Sequence, residues 1–485
     1  MKINRCNTAK LTATLLFIIF ALATNNVSAM SQNDDQATMI SPKTYRLIVK
    51  YRDSETRYKR KRSSSSISQS LSQTSGTQLK VLHSTATNAH VVQLDRLVSM
   101  TEAKDIADQI AMDPDVLYAE PDGMIHAYSV PNDPLYRNQW HYFNPAGGLN
   151  LPNAWDVSTG KDVVVAVIDS GIRPHADLQN KVLPGYDFIS NAFIANDGGL
   201  RDNDASDPGD WMEKGVCGGG EPFYQRNSSW HGTHVAGTIA ASGNNGIGVS
   251  GVAWGAKILP IRVLGKCGGF ESDAADAMLW AAGLPVLGVP NNLNPAKVIN
   301  LSAGEIGPCP MVFRDAIQAV RRVGVTVVVS AGNDYQNAQL TKPANCPGVI
   351  AVGATNFWGE RSSYSNFGPT VDVYAPGGEG VFGFDGILST VNSGITTPGG
   401  DGYAYLAGTS MAAPHVSGVV ALMYALQPNI TPTRVENILK QTVRARSFAF
   451  PCPFCNGGIV DATAAVNRLK ASFPAALSRA GQSNR

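Results

Sequence analysis

A serine at the start of a predicted helix is the residue of this chain best placed to act as a nucleophile. Ser410 lies in the motif Gly-Thr-Ser-Met-Ala-Ala-Pro-His at 408–415, and the apolar run from Met411 to Leu426 predicts a helix that begins there. Unpaired N–H groups and the positive end of the helix dipole stabilise negative charge beside such a hydroxyl. Because a simple N-cap serine gives the same local pattern, a nucleophile requires a base, an orienting group and an oxyanion donor elsewhere.

Two further motifs could supply the base and the group that orients it. Asp169 follows the continuously apolar run Val163–Ile168, which is typical of a buried parallel strand, and functional groups collect beyond the carboxyl ends of such strands. A turn aspartate is the alternative interpretation. His231 and His234 open another apolar helix, and since they lie about one turn apart, we expect at most one to be the base and the other to pack. A zinc site formed by both is disfavoured, because the signature His-Glu-x-x-His needs a glutamate between them.

An asparagine at the end of another predicted strand could donate hydrogen bonds to a developing oxyanion. Asn333 follows the apolar run Val325–Val329 in the sequence Ser-Ala-Gly-Asn-Asp. An asparagine beside a glycine is most often a turn residue. The alternative is that its side-chain NH2 group points into a cleft.

These residues lie in a chain that alternates predicted strands and helices, which favours an α/β fold with a mostly parallel central sheet and helices on both faces. The predicted strands are 163–168, 258–264, 298–301, 325–329 and 349–352. The predicted helices are 272–282, 313–323, 411–426 and 432–442, together with the helix that the motif 231–238 opens.

The N-terminal segment predicts export and a separate small domain. Basic residues, an apolar run and Val27-Ser28-Ala29 indicate a signal peptide over 1–29. Predicted strands at Tyr45–Tyr51 and His90–Leu94, and a helix after a Ser99/Glu102 capping box, predict an α+β module over 30–128. The serine-rich stretch Ser63–Ser75 is expected to be a solvated loop. A main domain over 129–474 and a polar tail over 475–485 complete the expected organisation.

Composition limits the partners that the sequence indicates. The chain has 485 residues and a formal net charge of +1, which favours neither nucleic acid nor an anionic membrane surface as a partner. No segment after the signal peptide is both long enough and sufficiently free of charge and glycine to predict a membrane span. We expect a secreted monomer with no membrane contact after removal of the signal peptide.

Six cysteines follow the predicted signal peptide, and six allow 15 disulfide pairings. An even number in an exported chain predicts disulfides. Sequence order suggests Cys217 with Cys267, Cys309 with Cys346, and Cys452 with Cys455. The last pair has the spacing of a redox or zinc motif, but no second Cys or His pair lies near it in the sequence, so a structural disulfide is favoured.

Taken in order along the chain, the motifs around Asp169, His231, Asn333 and Ser410 closely resemble those of the subtilisin-like serine proteases, the subtilases of peptidase family S8. The resemblance covers about residues 150–465, and the 30–128 module resembles the inhibitory, ferredoxin-like propeptide of secreted bacterial members. It implies a three-layer α/β fold in which Ser410 is the nucleophile, His231 the base, Asp169 the group that orients it and Asn333 an oxyanion donor.

The resemblance also implies how a substrate and calcium would bind. An extended protein or peptide substrate would pair by main-chain hydrogen bonds between two segments: Cys267, Gly268, Gly269 and Phe270 on one side, and Ser302, Ala303 and Gly304 on the other. Structural calcium would be held by oxygen atoms of Asp133, Asp177, Asn245, Ile247 and Val249. Similar acidic insertions in the family suggest a second calcium at Asp202, Asp204 and Asp207. No catalytic cofactor is implied.

The sequence therefore predicts a secreted serine endopeptidase that is made as a zymogen, with its own propeptide as an intramolecular inhibitor that is removed by autocleavage near residues 128–132. A processing protease of narrow specificity is a second hypothesis, although relatives of that kind carry a further β-rich domain. A non-catalytic binding protein with the same fold is the third hypothesis, and the four intact motifs disfavour it.

Overall fold

The computed structural model describes residues 43–52, 63–123, 130–380, 383–446 and 457–472. The predicted signal peptide, the polar tail and the Cys452/Cys455 pair lie outside these residues. Fifteen strands are present in this part of the chain: β1 Lys43–Tyr51, β2 Leu79–Ser84, β3 His90–Ser99, β4 Val116–Pro121, β5 Val164–Asp169, β6 Tyr186–Asp187, β7 Lys257–Arg262, β8 Val298–Leu301, β9 Glu305–Ile306, β10 Thr326–Ser330, β11 Thr341–Lys342, β12 Val349–Thr355, β13 Val373–Pro376, β14 Ile387–Asn392 and β15 Asp401–Leu406. The α-helices of the same residues are α1 Ser64–Ser75, α2 Met100–Ala111, α3 Trp140–Phe143, α4 Pro152–Trp155, α5 Ala192–Ala195, α6 His231–Ala240, α7 Glu271–Ala281, α8 Met311–Arg322, α9 Thr409–Leu426, α10 Pro432–Gln441 and α11 Ala462–Ala471.

The N-terminal module has the predicted α+β character, but it contains one additional strand and a helix in place of the predicted loop. Its elements run β1-α1-β2-β3-α2-β4, and its sheet has the strand order β2-β3-β1-β4, which is a ferredoxin-like arrangement. The helix after Ser99 is confirmed, because the Ser99 side chain accepts a hydrogen bond from Glu102 N–H and caps α2. Strand β2 was not predicted.

The serine-rich stretch 63–75 is a helix rather than the predicted loop. Ser63 caps α1, and Ile67 and Leu71 bury their side chains in the core of the module because they lie four residues apart on one helix face. Hydroxyl groups on the other faces donate to carbonyls four residues earlier, as Ser68 does to Ser64 at 2.7 Å. Burial of two apolar residues therefore outweighs the weak helix preference of serine.

The main sheet has seven strands in the order β13-β12-β10-β8-β5-β7-β6. Its neighbouring strands are parallel, and β5, with the sequence Val-Val-Ala-Val-Ile-Asp, lies at an inner position between β7 and β8. Both faces are covered, which explains why these strands are apolar without alternation. Helices α6, α9, α10 and α11 contribute to the core on one face, and α7 and α8 to the core on the other. The predicted three-layer α/β fold is confirmed.

Helix α9 is the central helix of this domain and carries the predicted nucleophile at its N-terminal end. It is long and apolar enough to span a membrane by composition, but 83% of its residues are buried inside the protein. It packs against β8, β10, β12 and α6. Three strands of the main sheet and helix α6 thus position α9.

Candidate active site

Asp169 and His231 meet because the end of β5 and the start of α6 approach each other closely. His231 Nδ1 donates to Asp169 Oδ1 at 2.8 Å; the carboxylate is fully buried, and the imidazole is 22% exposed. A Cβ atom at Gly232 would lie 2.1 Å from the Gly171 carbonyl oxygen. Only glycine at position 232 therefore permits this approach.

The surroundings of His231 favour its protonated form. Burial is the largest single influence and by itself lowers the pKa of the imidazole. The charge and hydrogen bond of Asp169, with smaller contributions from Asp210 and Asp207, together outweigh it, so the pKa lies above its ordinary value of 6.5. Asp169 Oδ1 also accepts from Ser170 N–H at 2.7 Å, which fixes the carboxylate. The pair can therefore hold a proton that the imidazole receives from a neighbouring group.

The other two histidines near these elements do not carry out this role. His234 is fully buried, and its Nε2 lies 2.9 Å from the Ile387 carbonyl oxygen. His415 is also fully buried; its Nδ1 donates to the Met411 carbonyl at 2.7 Å, and its Nε2 lies 2.7 Å from His141 Nδ1. Geometry therefore separates His231, which lines a cleft, from the packed His234.

Ser410 and Asn333 line the same cleft as His231. Asn333 Oδ1 accepts from Thr409 N–H at 2.9 Å and from the Thr409 hydroxyl at 2.8 Å. Because a backbone N–H can only donate, these bonds identify the amide oxygen of Asn333, and the NH2 group is left for a ligand. The Asn333 NH2 group and the Ser410 backbone N–H at the start of α9 thus lie at one cleft.

Both predicted substrate segments contribute to this cleft. Ser302, Ala303 and Gly304 line one part of it, and Gly268 lines another. Within the predicted segment 267–270, Phe270 is 48% exposed, and Cys267 has a positive φ of 65°. The two segments are therefore available to an extended chain.

Several cleft residues were not identified from the sequence. Met212, Asp210, Glu305, Asp334 and Thr341 line the cleft. Asp210 ends the acidic stretch 197–210, in which only Asp202, Asp204 and Asp207 are predicted ligands. The stretch that contains Thr341 has no local motif. Only the pairing of β9 with β11 brings Thr341 next to Ile306.

Two predicted disulfides are confirmed. Cys217 is bonded to Cys267 with their Cα atoms 5.5 Å apart, and Cys309 is bonded to Cys346 with their Cα atoms 5.1 Å apart. The first ties the loop that contains Cys217 to the predicted substrate segment 267–270. The second joins the loop before α8 to the segment before β12.

The residues of the predicted calcium site lie together. Asn245 connects the two carboxylates: its backbone N–H donates to Asp133 Oδ1 at 3.1 Å, and its side-chain NH2 donates to Asp177 Oδ1 at 2.9 Å. Val249 N–H donates to Asp177 Oδ2 at 2.8 Å, and Ile247 N–H donates to Asn245 Oδ1 at 2.9 Å. The loop 245–249 thus wraps around Asp177.

The three carboxylates of the predicted second calcium site do not converge. Asp202 and Asp204 are exposed and accept from backbone N–H groups of their own loop. Asp207 is buried instead, where Ser170 Oγ donates to its Oδ2 at 2.7 Å. Among the described residues, no group of three or more His, Cys, Asp or Glu side chains is placed to hold a metal ion. The second calcium stays a prediction.

Comparison with known proteins agrees with this geometry. A family model described as the subtilase family matches residues 160–473. The chain is 51% identical over 382 residues to an extracellular protease of Xanthomonas campestris pv. campestris, and the alignment covers 79% of this chain and 64% of the relative. It is 42% identical over 469 residues to an extracellular basic protease of Dichelobacter nodosus, covering 94% of this chain and 76% of the relative.

Solved structures show the same similarity. A protease of Pseudoalteromonas arctica matches with a TM-score of 0.68 and 55% sequence identity, over 70% of this chain and 100% of that chain. Fervidolysin from Fervidobacterium pennivorans, described as a keratinolytic enzyme related to subtilisin, matches with a TM-score of 0.52 and 27% identity, over 89% of this chain and 61% of that chain. The chain thus spans less than two thirds of the length of the Xanthomonas relative and of fervidolysin.

Proposed function

This chain belongs to the subtilase family of peptidases, and we propose that it is an exported serine endopeptidase that is made as a zymogen. The observation that carries the proposal is the cleft in which His231, oriented by Asp169, lies with Ser410 and Asn333. These side chains come from four separate elements or their ends. Their convergence is what acyl transfer to a serine requires.

The Ser410 hydroxyl donates to the Ser302 carbonyl at 3.1 Å, so the proposed reaction begins when it turns from that carbonyl toward His231. His231 then takes its proton as the hydroxyl oxygen attacks a peptide carbonyl. Asp169 holds the imidazole with Nδ1 protonated and Nε2 free to accept, and it stabilises the imidazolium that forms. The Asn333 NH2 group and the Ser410 backbone N–H bind the oxyanion of the tetrahedral intermediate. His231 then donates the proton to the leaving amine, and water repeats the sequence on the acyl-enzyme.

The substrate is proposed to be an extended segment of a protein. Ser302–Gly304 and Gly268 lie at the cleft, and a chain between these segments would form main-chain hydrogen bonds on both sides. Such pairing depends little on side chains, so flexible proteins of varied sequence are expected to be cleaved.

Calcium is proposed to bind at Asp133, Asp177 and the loop 245–249. Asp133 is 4% exposed and Asp177 fully buried, and neither takes part in the ion pairs found among the described residues. Burial raises the pKa of Asp177, although hydrogen bonds from Val249, Asn245 and Tyr403 oppose the effect. A cation near two buried carboxylates would neutralise their charge, and carboxylate, amide and carbonyl oxygens suit Ca²⁺.

The N-terminal module is proposed to act as an inhibitory propeptide. It has its own hydrophobic core, separate from the two cores of the main domain. It also lies between the predicted signal peptide and the catalytic domain. The relatives from Xanthomonas and Dichelobacter are named as extracellular proteases, which supports export.

The test of this proposal is the variant Ser410→Ala in the full chain. We expect wild type to mature to a shorter form, hydrolyse casein and react with a fluorophosphonate probe, and Ser410→Ala to do none of these. Ser472→Ala, at the exposed end of α11, is the control and should match wild type. Normal maturation and casein hydrolysis by Ser410→Ala would refute the assignment of the nucleophile, and a wild type without labelling or hydrolysis would support a non-catalytic binding protein.

A protease with narrow preference for basic residues is the second candidate. Three acidic residues, Asp210, Glu305 and Asp334, line the cleft, and their charge would favour Lys or Arg in a bound peptide. Cleavage of a peptide library separates the two candidates. Cuts confined to positions next to basic residues support the second one, and dispersed cuts support the first.

A further inference from the structure

The carbonyl of Ser410 lacks the usual N–H donor four residues later in its own helix. Pro414 lies inside α9, and a proline has no N–H to donate to the carbonyl four residues earlier. That carbonyl belongs to Ser410, so a donor from another segment must replace the missing N–H. Ser302 Oγ is this donor, at 3.0 Å from Ser410 O.

The hydrogen bonds that lead from Ser302 to Ser417 each have a defined donor and acceptor. The Ser302 hydroxyl gives its only proton to the Ser410 carbonyl, so it must accept from Asn300 Nδ2, which lies 2.9 Å away. Asn300 therefore turns its Oδ1 to Ser417, whose hydroxyl donates to it at 2.8 Å. Asn300 and Ser417 are fully buried, and Ser302 is 3% exposed.

A second bond runs in the opposite direction between the same two serines. Ser410 Oγ donates to the Ser302 carbonyl at 3.1 Å. Ser302 thus holds both the main chain and the hydroxyl of Ser410, and it begins the segment that lines the cleft at 302–304.

We propose that Ser302 is a positioning residue that fixes Ser410 relative to the substrate segment 302–304. Asn300 and Ser417 orient the Ser302 hydroxyl through the hydrogen-bond chain Ser417–Asn300–Ser302–Ser410. The inference depends on the proposed function, because Ser410 must be the nucleophile. Since Ser417 lies on α9 two turns after Ser410, the chain connects the helix to β8 at Asn300 and to the residue after the end of β8 at Ser302. It would restrain the start of α9 against rotation while the hydroxyl attacks.

The experiment compares two variants of the full chain, Ser302→Ala and Ser158→Ala. Ser158 Oγ donates to the Leu422 carbonyl at 2.9 Å, so this control also removes a serine bond to a carbonyl of α9, but at the far end of the helix. We expect Ser302→Ala to lower kcat roughly ten- to a hundred-fold on a peptide substrate, with KM changed less than about twofold, because the nucleophile is misplaced. The rate of fluorophosphonate labelling should fall in parallel. Ser158→Ala should keep wild-type kcat even if it melts at a lower temperature.

A third variant, Ser417→Ala, keeps the inference testable if Ser302→Ala does not mature. It leaves Ser302 intact but frees the Asn300 amide, so a smaller fall in kcat, about two- to ten-fold, is expected without a change in KM. An unchanged kcat in Ser302→Ala overturns the positioning role. If only Ser417→Ala matures, an unchanged kcat in that variant overturns it. An effect confined to KM or to melting temperature overturns it as well. Loss of casein hydrolysis and labelling in wild type itself would instead contradict the proposed function.

Discussion

His231 Nδ1 donates a hydrogen bond of 2.8 Å to Asp169 Oδ1, although the two residues lie 62 positions apart in the sequence. The carboxylate is fully buried at the end of an inner strand, whereas the imidazole remains 22% exposed in the cleft. A buried anion beside a partly exposed imidazole favours the imidazolium. This relationship determines the expected pH dependence.

The activity of wild type should increase with pH through a midpoint above 6.5, because only the neutral imidazole can accept the Ser410 proton and the pKa of His231 is raised. Asp169→Asn removes the main group that raises this pKa, so the midpoint should move to lower pH, and kcat should fall about 10⁴-fold. The measurement is kcat/KM against pH with an uncharged peptide substrate. The exposed Asp315→Asn is the control, and an unmoved midpoint in Asp169→Asn would contradict the prediction.

Asn333→Asp should reduce kcat strongly while leaving the fold intact. The new carboxylate can still accept from Thr409, as Asn333 Oδ1 does, but it loses the NH2 donor and places a negative charge near the oxyanion. The loss of transition-state stabilisation should be at least about 2.7–4 kcal/mol. This magnitude is the one known for the oxyanion asparagine of subtilisin and does not come from the present structure. Steady-state kinetics and a melting curve test this. A wild-type kcat would exclude Asn333 from the oxyanion site.

Removal of calcium by a chelator should lower the melting temperature of the mature protein. An ion that binds only the folded state stabilises it by mass action, by about 2.7 kcal/mol at a concentration 100 times Kd. Asp177→Asn should melt at a lower temperature in calcium and respond less to the chelator, because its buried carboxylate is a proposed ligand. Asp315→Asn should respond as wild type does. Identical melting curves for wild type with and without chelator would remove calcium from the proposal.

Acid should destabilise the protein through its buried histidine pair. Burial lowers the pKa of His415 to about 4 and that of His141 well below 6.5, while the same side chains in the unfolded chain take up protons near 6.5. The unfolded state therefore binds more protons below pH 6.5, and the free energy of unfolding should fall by up to about 1.4 kcal/mol per pH unit for each histidine as pH decreases toward 4.

The variant His415→Gln isolates this contribution. Its free energy of unfolding should depend less steeply on pH between 6.5 and 4, by about one proton, than that of wild type. Denaturant unfolding of inhibitor-blocked protein at several pH values gives the slopes. Equal slopes for the two proteins would show that His415 is protonated alike in the folded and unfolded states.

Local patterns of the sequence were sufficient for much of the fold. The continuous apolar run before Asp169 and the apolar helix that starts near Ser410 gave strand and helix positions within a few residues, because burial on both faces leaves no polar alternation. The hairpin of β14 and β15 was not predicted, since its residues lie in a glycine-rich stretch without a clear period. The loop prediction for 63–75 was wrong, because it followed the serine-rich composition and not the helical spacing of Ile67 and Leu71.

The sequence by itself determined which residues could do the chemistry: four motifs in order, with Asp169, His231, Asn333 and Ser410 at the ends of predicted elements. Only the tertiary structure decided which groups face one another. It turned Asp207 toward Ser170 rather than toward Asp202 and Asp204, and it joined Ser302 to Ser410 in both directions. Contacts of this kind depend on the approach of segments that are far apart in the chain. Local periodicity predicts neither where a side chain points nor which distant group donates to the Ser410 carbonyl in place of the N–H that Pro414 lacks.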